Sequence, residues 1–194
     1  NGDPKKGFEW SYNFFFNVPD LVGTYLGMWN RVPGNKKVIG LLLANDNDGN
    51  AFASLMPDIM KKSGYTIVDP GRFDLPASNY NAQISAYKNA GVDGVFMSLP
   101  PPEFAAFWNE SAQQGLRPLF VTPGKGGEFP PAIYPFEGRA ENLSIEVWWD
   151  RAYPFNSSIT GQTSAKLADE FEAKESRQAS MALGYTHALF EVAI

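Results

Sequence analysis

Polar residues follow an apolar run near the middle of the sequence, at a position where α/β proteins commonly bind ligands. Val38–Leu43 has no period of two, which is typical of a buried, parallel-type strand, and Asn45–Gly49 follows it with carboxamide and carboxylate groups. Such a loop, when a helix follows it, places side chains and first-turn N–H groups at the carboxyl edge of a sheet, where an anion or a hydroxyl group can bind. An ordinary helix cap explains the same residues equally well, because most such loops bind nothing.

Proline, basic and aromatic residues follow the later predicted strands. Pro100 and Pro101 come after the second run, and Lys125 lies in a Gly-rich loop after the third. Trp148 and Trp149 end a segment of alternating polarity, where one ring faces each side; such rings form the walls of ligand pockets as well as ordinary core. A strand stop is the stronger explanation of the prolines, and a solvated loop charge explains Lys125 as well as ligand contact does.

Residue types suited to catalysis are scarce, so the sequence predicts no enzyme. His187 is the only histidine and falls in an amphipathic helix, and there is no cysteine for thiolate or zinc-cysteine chemistry. Gly124–Gly127 lacks the spacing of a P-loop, and no GxGxxG motif follows a strand, so no cofactor is predicted. Asp46–Asp48 lacks the glycine and the distal glutamate of a calcium loop, so no metal site is predicted.

The charge balance argues against a nucleic-acid-binding protein. The sequence has 21 Asp and Glu against 16 Lys and Arg, a net charge of -5, and its basic residues form no cluster. No apolar run approaches the about 20 residues that span a membrane. No signal peptide is recognised. Because the chain starts at Asn1 without a methionine and stops at Ile194 within a predicted helix, we expect a fragment.

The elements that must position these residues alternate between strand and helix. The predicted strands are the run after Lys37, Tyr65–Val68, Val92–Leu99, Leu119–Val121 and Leu143–Trp149. The predicted helices are Leu21–Val32, Ala51–Ser63, Tyr80–Ala90, Phe104–Gln114, Ser164–Lys174 and Ser180–Ala193. Residues 122–142 form a long Gly- and Pro-rich segment that is predicted to be irregular. This alternation predicts an α/β fold, doubly wound around a mostly parallel sheet.

Taken in order, these motifs resemble the second lobe of the type I periplasmic binding proteins. The segments that carry the resemblance are Lys37–Ala53, Asn79–Ser98, Glu103–Val121, Gly161–Lys174 and Ala182–Ile194. They are most similar to leucine/isoleucine/valine-binding and related amide or organic-acid receptors of ABC importers. The resemblance implies two α/β lobes joined by three hinge segments, with the ligand trapped between them. It implies a truncated fold here: a ligand-binding lobe at 14–149, and a linker with two helices at 150–194 that would pack on an absent first lobe.

The resemblance also implies which residues face the ligand, namely Asp48, Pro100, Pro101, Lys125 and Trp149. Amino-acid receptors of the family place an acidic residue in the loop that holds Lys125 here, and this residue meets the ligand ammonium. In this sequence Glu128 comes only later. A lysine favours an anionic or hydroxyl-bearing group. This puts an amino-acid ligand in doubt and makes an organic or aromatic acid plausible, so the expected ligand is a small amino-acid-like molecule or an organic or aromatic acid.

The partners follow from the same resemblance. A small-molecule ligand, an ABC permease in the full-length protein and a periplasmic or extracellular location are implied. The alternative is the effector-sensing lobe of a transcription regulator or receptor on the same fold. Without a first lobe, the two C-terminal helices would expose apolar stripes, and such patches rarely stay exposed on a monomer. We therefore expect a homodimer through these helices, while folding back onto the lobe remains open.

Overall fold

A parallel four-stranded sheet organises the computed structural model, which describes residues 15–194. Its strands are β1 (Val38–Leu43), β2 (Thr66–Val68), β3 (Gly94–Ser98) and β4 (Phe120–Thr122). They lie in the order β2-β1-β3-β4, and every neighbouring pair is parallel. The predicted α/β class with a parallel sheet is confirmed.

Seven α-helices accompany the sheet in the described part of the chain. They are α1 (Val18–Trp29), α2 (Asn47–Lys62), α3 (Asn81–Ala90), α4 (Pro101–Gln113), the short α5 (Pro130–Ile133), α6 (Ser164–Glu175) and α7 (Met181–Ala193). Short 3-10 helices occupy Gly124–Gly126 and Tyr134–Ala140. Among residues 15–194, none of the helices combines the length and the apolar character that a membrane span requires.

Each face of the sheet carries its own hydrophobic core, because successive side chains of a strand point to opposite faces. Ile39, Leu41 and Leu43 of β1 pack with α1 and α2 on one face. Leu42, between them, joins α3 and α4 on the other face. Helices on both faces make the sheet doubly wound, as the sequence predicts.

Three helices begin earlier than the sequence predicts, namely α1, which Asn17 caps, α2 and α4, because their first residues lie upstream of the apolar stripes. Asp46 caps α2, and its Oδ1 accepts from the Gly49 amide at 2.7 Å, so the helix starts at Asn47 rather than at Ala51. In α4 the helix starts at Pro101, since proline fits the first helical turn, where its missing N–H needs no partner. Asp48 therefore lies in a helical turn and not in a loop.

Two other predictions about local structure are wrong. Leu143–Trp149 is not a strand: only an isolated bridge joins Leu143 to Val121, and the Ser144 amide donates to the Val121 carbonyl at 2.9 Å. The segment after β4 is not irregular, because it contains α5 and both 3-10 helices. Alternating polarity predicts a strand only when a neighbouring strand supplies hydrogen bonds, and here the partner strand ends after Thr122.

The two C-terminal helices pack on each other and on the extended segment before them. Gly184 of α7 lies directly against Trp149, so close that an added Cβ would be 2.0 Å from the indole ring. Met181 and Ala168 are buried. On the outer side of α7, apolar side chains remain exposed: Leu189, Phe190, Val192 and Ile194. The helices thus cover part of their stripes within the chain, and the homodimer stays a prediction.

The close approach of Gly49 to β1 gives a test of this packing. An added Cβ would lie 2.0 Å from the Ala44 carbonyl oxygen, whereas one at Gly23 of α1 meets nothing within 4 Å. We expect Gly49→Ala to lower the free energy of unfolding by about 2 kcal/mol or more, because the backbone must shift. Gly23→Ala should raise it by about 0.5–1 kcal/mol, as alanine favours the helix.

Chemical denaturation of the two variants beside the parent chain measures both changes. Equal stability of Gly49→Ala and the parent would contradict the tight contact between α2 and the end of β1.

Candidate functional site

A pocket of about 340 Å³ opens at the carboxyl edge of the sheet. It is lined by α1, the first turns of α2, the end of β3, the 3-10 turn after β4 and the extended segment 144–148. Its principal lining residues are Phe16, Tyr25, Asp48, Phe52, Phe96, Ser98, Lys125, Glu128, Glu146 and Trp148. We call this concavity the carboxyl-edge pocket. Parallel α/β sheets typically bind their ligands at this edge.

Lys125 forms ion pairs with two carboxylates of its own chain. Its Nζ donates to Asp48 Oδ2 at 2.7 Å and to Asp46 Oδ2 at 3.2 Å. Burial lowers the pKa of Lys125, but the hydrogen bonds to Asp48 and Asp46 outweigh this effect and raise the pKa above its ordinary value. The ammonium group is therefore charged, and two carboxylates already neutralise it.

A glycine lets the loop of Lys125 come close to the sheet. Gly124 has a φ of +51°, and an added Cβ would lie 2.7 Å from the Met97 carbonyl oxygen of β3. This backbone conformation and this closeness both favour glycine. The turn Gly124–Gly126 that follows then projects Lys125 towards the N-terminus of α2.

Two glutamates make the other side of the pocket acidic. Glu146 Oε2 accepts a short hydrogen bond of 2.5 Å from the Tyr25 hydroxyl. Burial, followed by the negative charge of Glu146, raises the pKa of Tyr25, so the phenol remains a donor. Burial also raises the pKa of Glu128 to about 7, with the charge of Glu146 adding to the shift and that of Lys125 opposing it.

The charges around the pocket do not balance. Asp46, Asp48, Glu128 and Glu146 contribute carboxylates, whereas Lys125 is the one basic side chain among the described residues that line the pocket. The electrostatic potential inside the pocket is thus negative, and it suits a cationic group. Across residues 15–194, no group of three or more potential metal-ligating side chains converges.

Aromatic rings form the apolar part of the pocket. The Phe52 ring stands edge-on to the Phe96 ring with centroids 5.1 Å apart, and the Tyr25 ring centroid lies 5.5 Å from that of Phe96. Phe16 and Trp148 lie opposite, with their ring centroids 6.4 Å apart. The pocket therefore offers an apolar wall next to an acidic one, a combination that suits an amphipathic molecule with a positive charge.

The structure brings together only part of the predicted site. Asp48 and Lys125 both lie at the pocket, where they form an ion pair with each other. Pro100 occupies the N-cap position of α4, Pro101 is the first residue of the helix, and neither lines the carboxyl-edge pocket. Trp149 packs against α7, so its neighbour Trp148 is the ring that lines the pocket.

Sequence reasoning missed Glu146, Tyr25 and Phe52 as parts of the site. For Glu146 a signal was present: in an extended segment, residues two apart share a face, so Ser144, Glu146 and Trp148 lie together. Nothing in the sequence indicates that α1 contributes Tyr25, because that contact joins residues 121 positions apart in the chain.

The comparisons with known proteins agree with this architecture. A family model described as a periplasmic binding protein matches residues 2–193. A leucine-binding protein from Thermotoga maritima superposes with a TM-score of 0.73 at 16% identity, covering 90% of this chain and 48% of that one. An extracellular ligand-binding receptor from Rhodopseudomonas palustris gives a TM-score of 0.75 at 17% identity, with coverages of 93% and 51%.

A third similar structure has a different ligand. A fatty acid ABC transporter substrate-binding protein from Thermomonospora curvata gives a TM-score of 0.63 at 14% identity, covering 82% of this chain and 40% of that one. At such identities these likenesses show the fold alone. The chain spans about half the length of these proteins or less. A comparison with curated protein sequences gives no match.

The raised pKa of Glu128 gives a prediction for stability. The folded pKa of about 7 exceeds the ordinary value of 4.5, so the folded chain holds a proton that the unfolded chain releases between these two values. The contribution of Glu128 to stability therefore falls as pH rises from about 4.5 to about 7 and is lowest above that range. Since Gln mimics the protonated acid, Glu128→Gln should raise the melting temperature at pH 8 more than at pH 5.

Thermal unfolding at both pH values measures this difference, with Glu141→Gln, at an exposed position, as the matched control. A Glu128→Gln effect that does not change between pH 5 and pH 8, or one that the control reproduces, would contradict the burial of this carboxyl group.

Proposed function

Since the chain belongs to the periplasmic binding protein family, we propose that it is the solute-binding part of an ABC importer whose ligand carries an ammonium group. The proposed ligand is amino-acid-like, with an apolar side chain. Its positive group contacts Glu146 and Glu128, and its apolar part contacts the rings of the carboxyl-edge pocket. Binding, rather than catalysis, is the proposed role.

The state of Lys125 is the observation that carries this proposal. The lysine alone favours an organic acid as ligand, but its ammonium group is held by Asp48 at 2.7 Å and by Asp46 at 3.2 Å. An incoming carboxylate would have to displace these partners and also approach Glu146 and Glu128. Two unit charges about 4 Å apart interact by about 4 kcal/mol at an effective dielectric constant of about 20. For a cation this interaction is favourable, and for an anion it is a penalty.

The rings of the pocket support an apolar side chain on the ligand. Phe52, Phe96 and Trp148 offer apolar surface beside the carboxylates. Fully burying a side chain of leucine size contributes roughly 1.5–3 kcal/mol, which adds to the charge interaction. A leucine-like molecule has both features. A fatty acid also has an apolar body, but the carboxylates of Glu146 and Glu128 would repel its negative charge.

A two-lobed receptor gives the ligand its remaining contacts in this proposal. The lobe at 14–149, of which the structure describes 15–149, forms one wall of the cleft, and 150–194 form a linker and two helices that pack on the other lobe. The hydrophobic cores of the sheet support this division, since they end at Leu143. Exposed apolar residues of α7, among them Phe190 and Val192, support it as well. An ABC permease as partner and a periplasmic or extracellular location belong to the same proposal.

A set of three related small molecules tests the sign of the ligand charge. Leucine carries both charged groups, 3-methylbutylamine carries only the ammonium, and 4-methylpentanoate carries only the carboxylate. We expect leucine to raise the melting temperature of the full-length protein most, the amine to raise it less, and the acid to leave it unchanged, because a ligand stabilises the state that it binds. A shift with the acid that matches the shift with leucine would refute the proposed ammonium site.

A substitution links the expected shift to the pocket. Glu146→Gln removes one carboxylate charge and keeps the size of the side chain. Charge-assisted hydrogen bonds contribute about 1.5–3 kcal/mol, so the affinity for leucine should fall by about tenfold or more. Glu141→Gln is the matched control, because Glu141 is exposed and does not line the pocket. Equal losses in both variants would place the ammonium group elsewhere.

A further inference from the structure

A second cavity, of about 220 Å³, lies beside α4, away from the carboxyl-edge pocket. Trp108 and Ser111 line it from the helix, and Leu116 and Arg117 from the segment that leads into β4. Arg139, in the last turn of the second 3-10 helix, and Asn142, just after that helix, line the cavity as well. It shares no lining residue with the carboxyl-edge pocket. We call it the α4 cavity.

Two buried polar groups of the α4 cavity have no hydrogen-bond partner among the described residues. They are the indole Nε1 of Trp108 and the hydroxyl Oγ of Ser111. Trp108 is 8% exposed and Ser111 only 2%. A serine within a helix commonly donates to a carbonyl of the preceding turn, and Ser111 does not. Buried polar groups are nearly always paired in native proteins, so two unpaired groups in residues that line one cavity call for a water molecule or a ligand as their partner.

Both charged side chains among the described residues that line this cavity belong to arginines. Arg117 Nη1 donates to the carbonyls of Leu116 at 3.0 Å and Ala112 at 3.2 Å, and Arg139 Nη1 donates to Asn109 Oδ1 at 3.0 Å. Neither arginine forms an ion pair with an acidic side chain that the structure describes. Each keeps further N–H donors, because a guanidinium group has five.

We propose that the α4 cavity binds a small organic carboxylate with a compact apolar body. The indole N–H, the Ser111 hydroxyl and the arginines supply donors, and none of the side chains described around the cavity is acidic. Arg is the residue that best fits a carboxylate, through two parallel N–H groups. Leu116 and the Trp108 ring contact the apolar body. With a volume of about 220 Å³, the cavity is smaller than the about 300–1,000 Å³ typical of pockets for drug-sized ligands, so the ligand is small.

Benzoate is a suitable probe, and its neutral isostere benzamide tests the charge. Calorimetric titration of the protein should show binding of benzoate and clearly weaker binding of benzamide. Ser111→Ala should weaken benzoate binding by about threefold to tenfold, and Arg139→Gln by about tenfold or more, since the second loss removes a charged donor. Ser54→Ala and Arg31→Gln are matched controls on exposed positions elsewhere, and they should not change the affinity.

Folding of the variants is checked separately. Because the Ser111 hydroxyl makes no hydrogen bond in the structure, Ser111→Ala should keep or raise the melting temperature without benzoate. Trp108→Phe, which removes the N–H and keeps an aromatic ring, is the second variant if Ser111→Ala fails to fold. Absence of benzoate binding, or binding that is equal in the parent, Ser111→Ala and Arg139→Gln, would overturn the proposal. Binding of inorganic phosphate as tight as that of benzoate would overturn the claim that the ligand has an apolar body.

Discussion

The pairing of Lys125 with two aspartates is the interaction on which the chemistry of the carboxyl edge depends. Asp46 serves twice, because one oxygen caps α2 through the Gly49 amide and the other accepts from Lys125. The lysine thereby joins the turn after β4 to the first turn of α2. Asp48 has 58% of its side chain exposed, and exposed ion pairs contribute only about 0–1 kcal/mol. The importance of the pairing therefore lies in position and charge rather than in stability.

The remaining carboxyl groups set the electrostatic character of the pocket. Glu146 is fixed by the Tyr25 hydroxyl at 2.5 Å, and its charge helps to raise the pKa of Glu128 to about 7. At neutral pH, Glu128 is thus close to the midpoint of its titration, and a positive group bound beside it would favour its ionised form. A protonated Glu128 limits the repulsion within the empty pocket. Its ionised form adds attraction when a cation arrives.

The fold was largely predictable from the sequence, and the site only in part. Apolar runs such as Val38–Leu43 and the stripe of α4 are local signals, and they predict the parallel sheet with helices on both faces. The segment 143–149 shows the limit of such signals, because its alternation looks the same with or without a partner strand. Helix starts were missed where a cap, as at Asp46, lies upstream of the apolar stripe.

The site was harder to predict because its charges act through contacts between distant residues. From the sequence, Lys125 is either a solvated loop charge or a residue that favours an anionic or hydroxyl-bearing group of the ligand. The contact with Asp48 joins residues 77 positions apart, and it is the reason that we propose a ligand with an ammonium group instead. Trp148 and Trp149 are equivalent in the sequence, and only the packing of Trp149 against Gly184 separates their roles.

Proton exchange on ligand binding tests the central claim most directly. If the ligand ammonium group binds beside Glu128, the pKa of that carboxyl group falls from about 7, and binding of leucine at pH 7 should release up to about half a proton per ligand. Calorimetry in two buffers with different ionisation enthalpies measures this number, and Glu128→Gln should abolish the release. Proton uptake on binding, or a release that Glu128→Gln does not change, would contradict an acidic pocket that receives a cation.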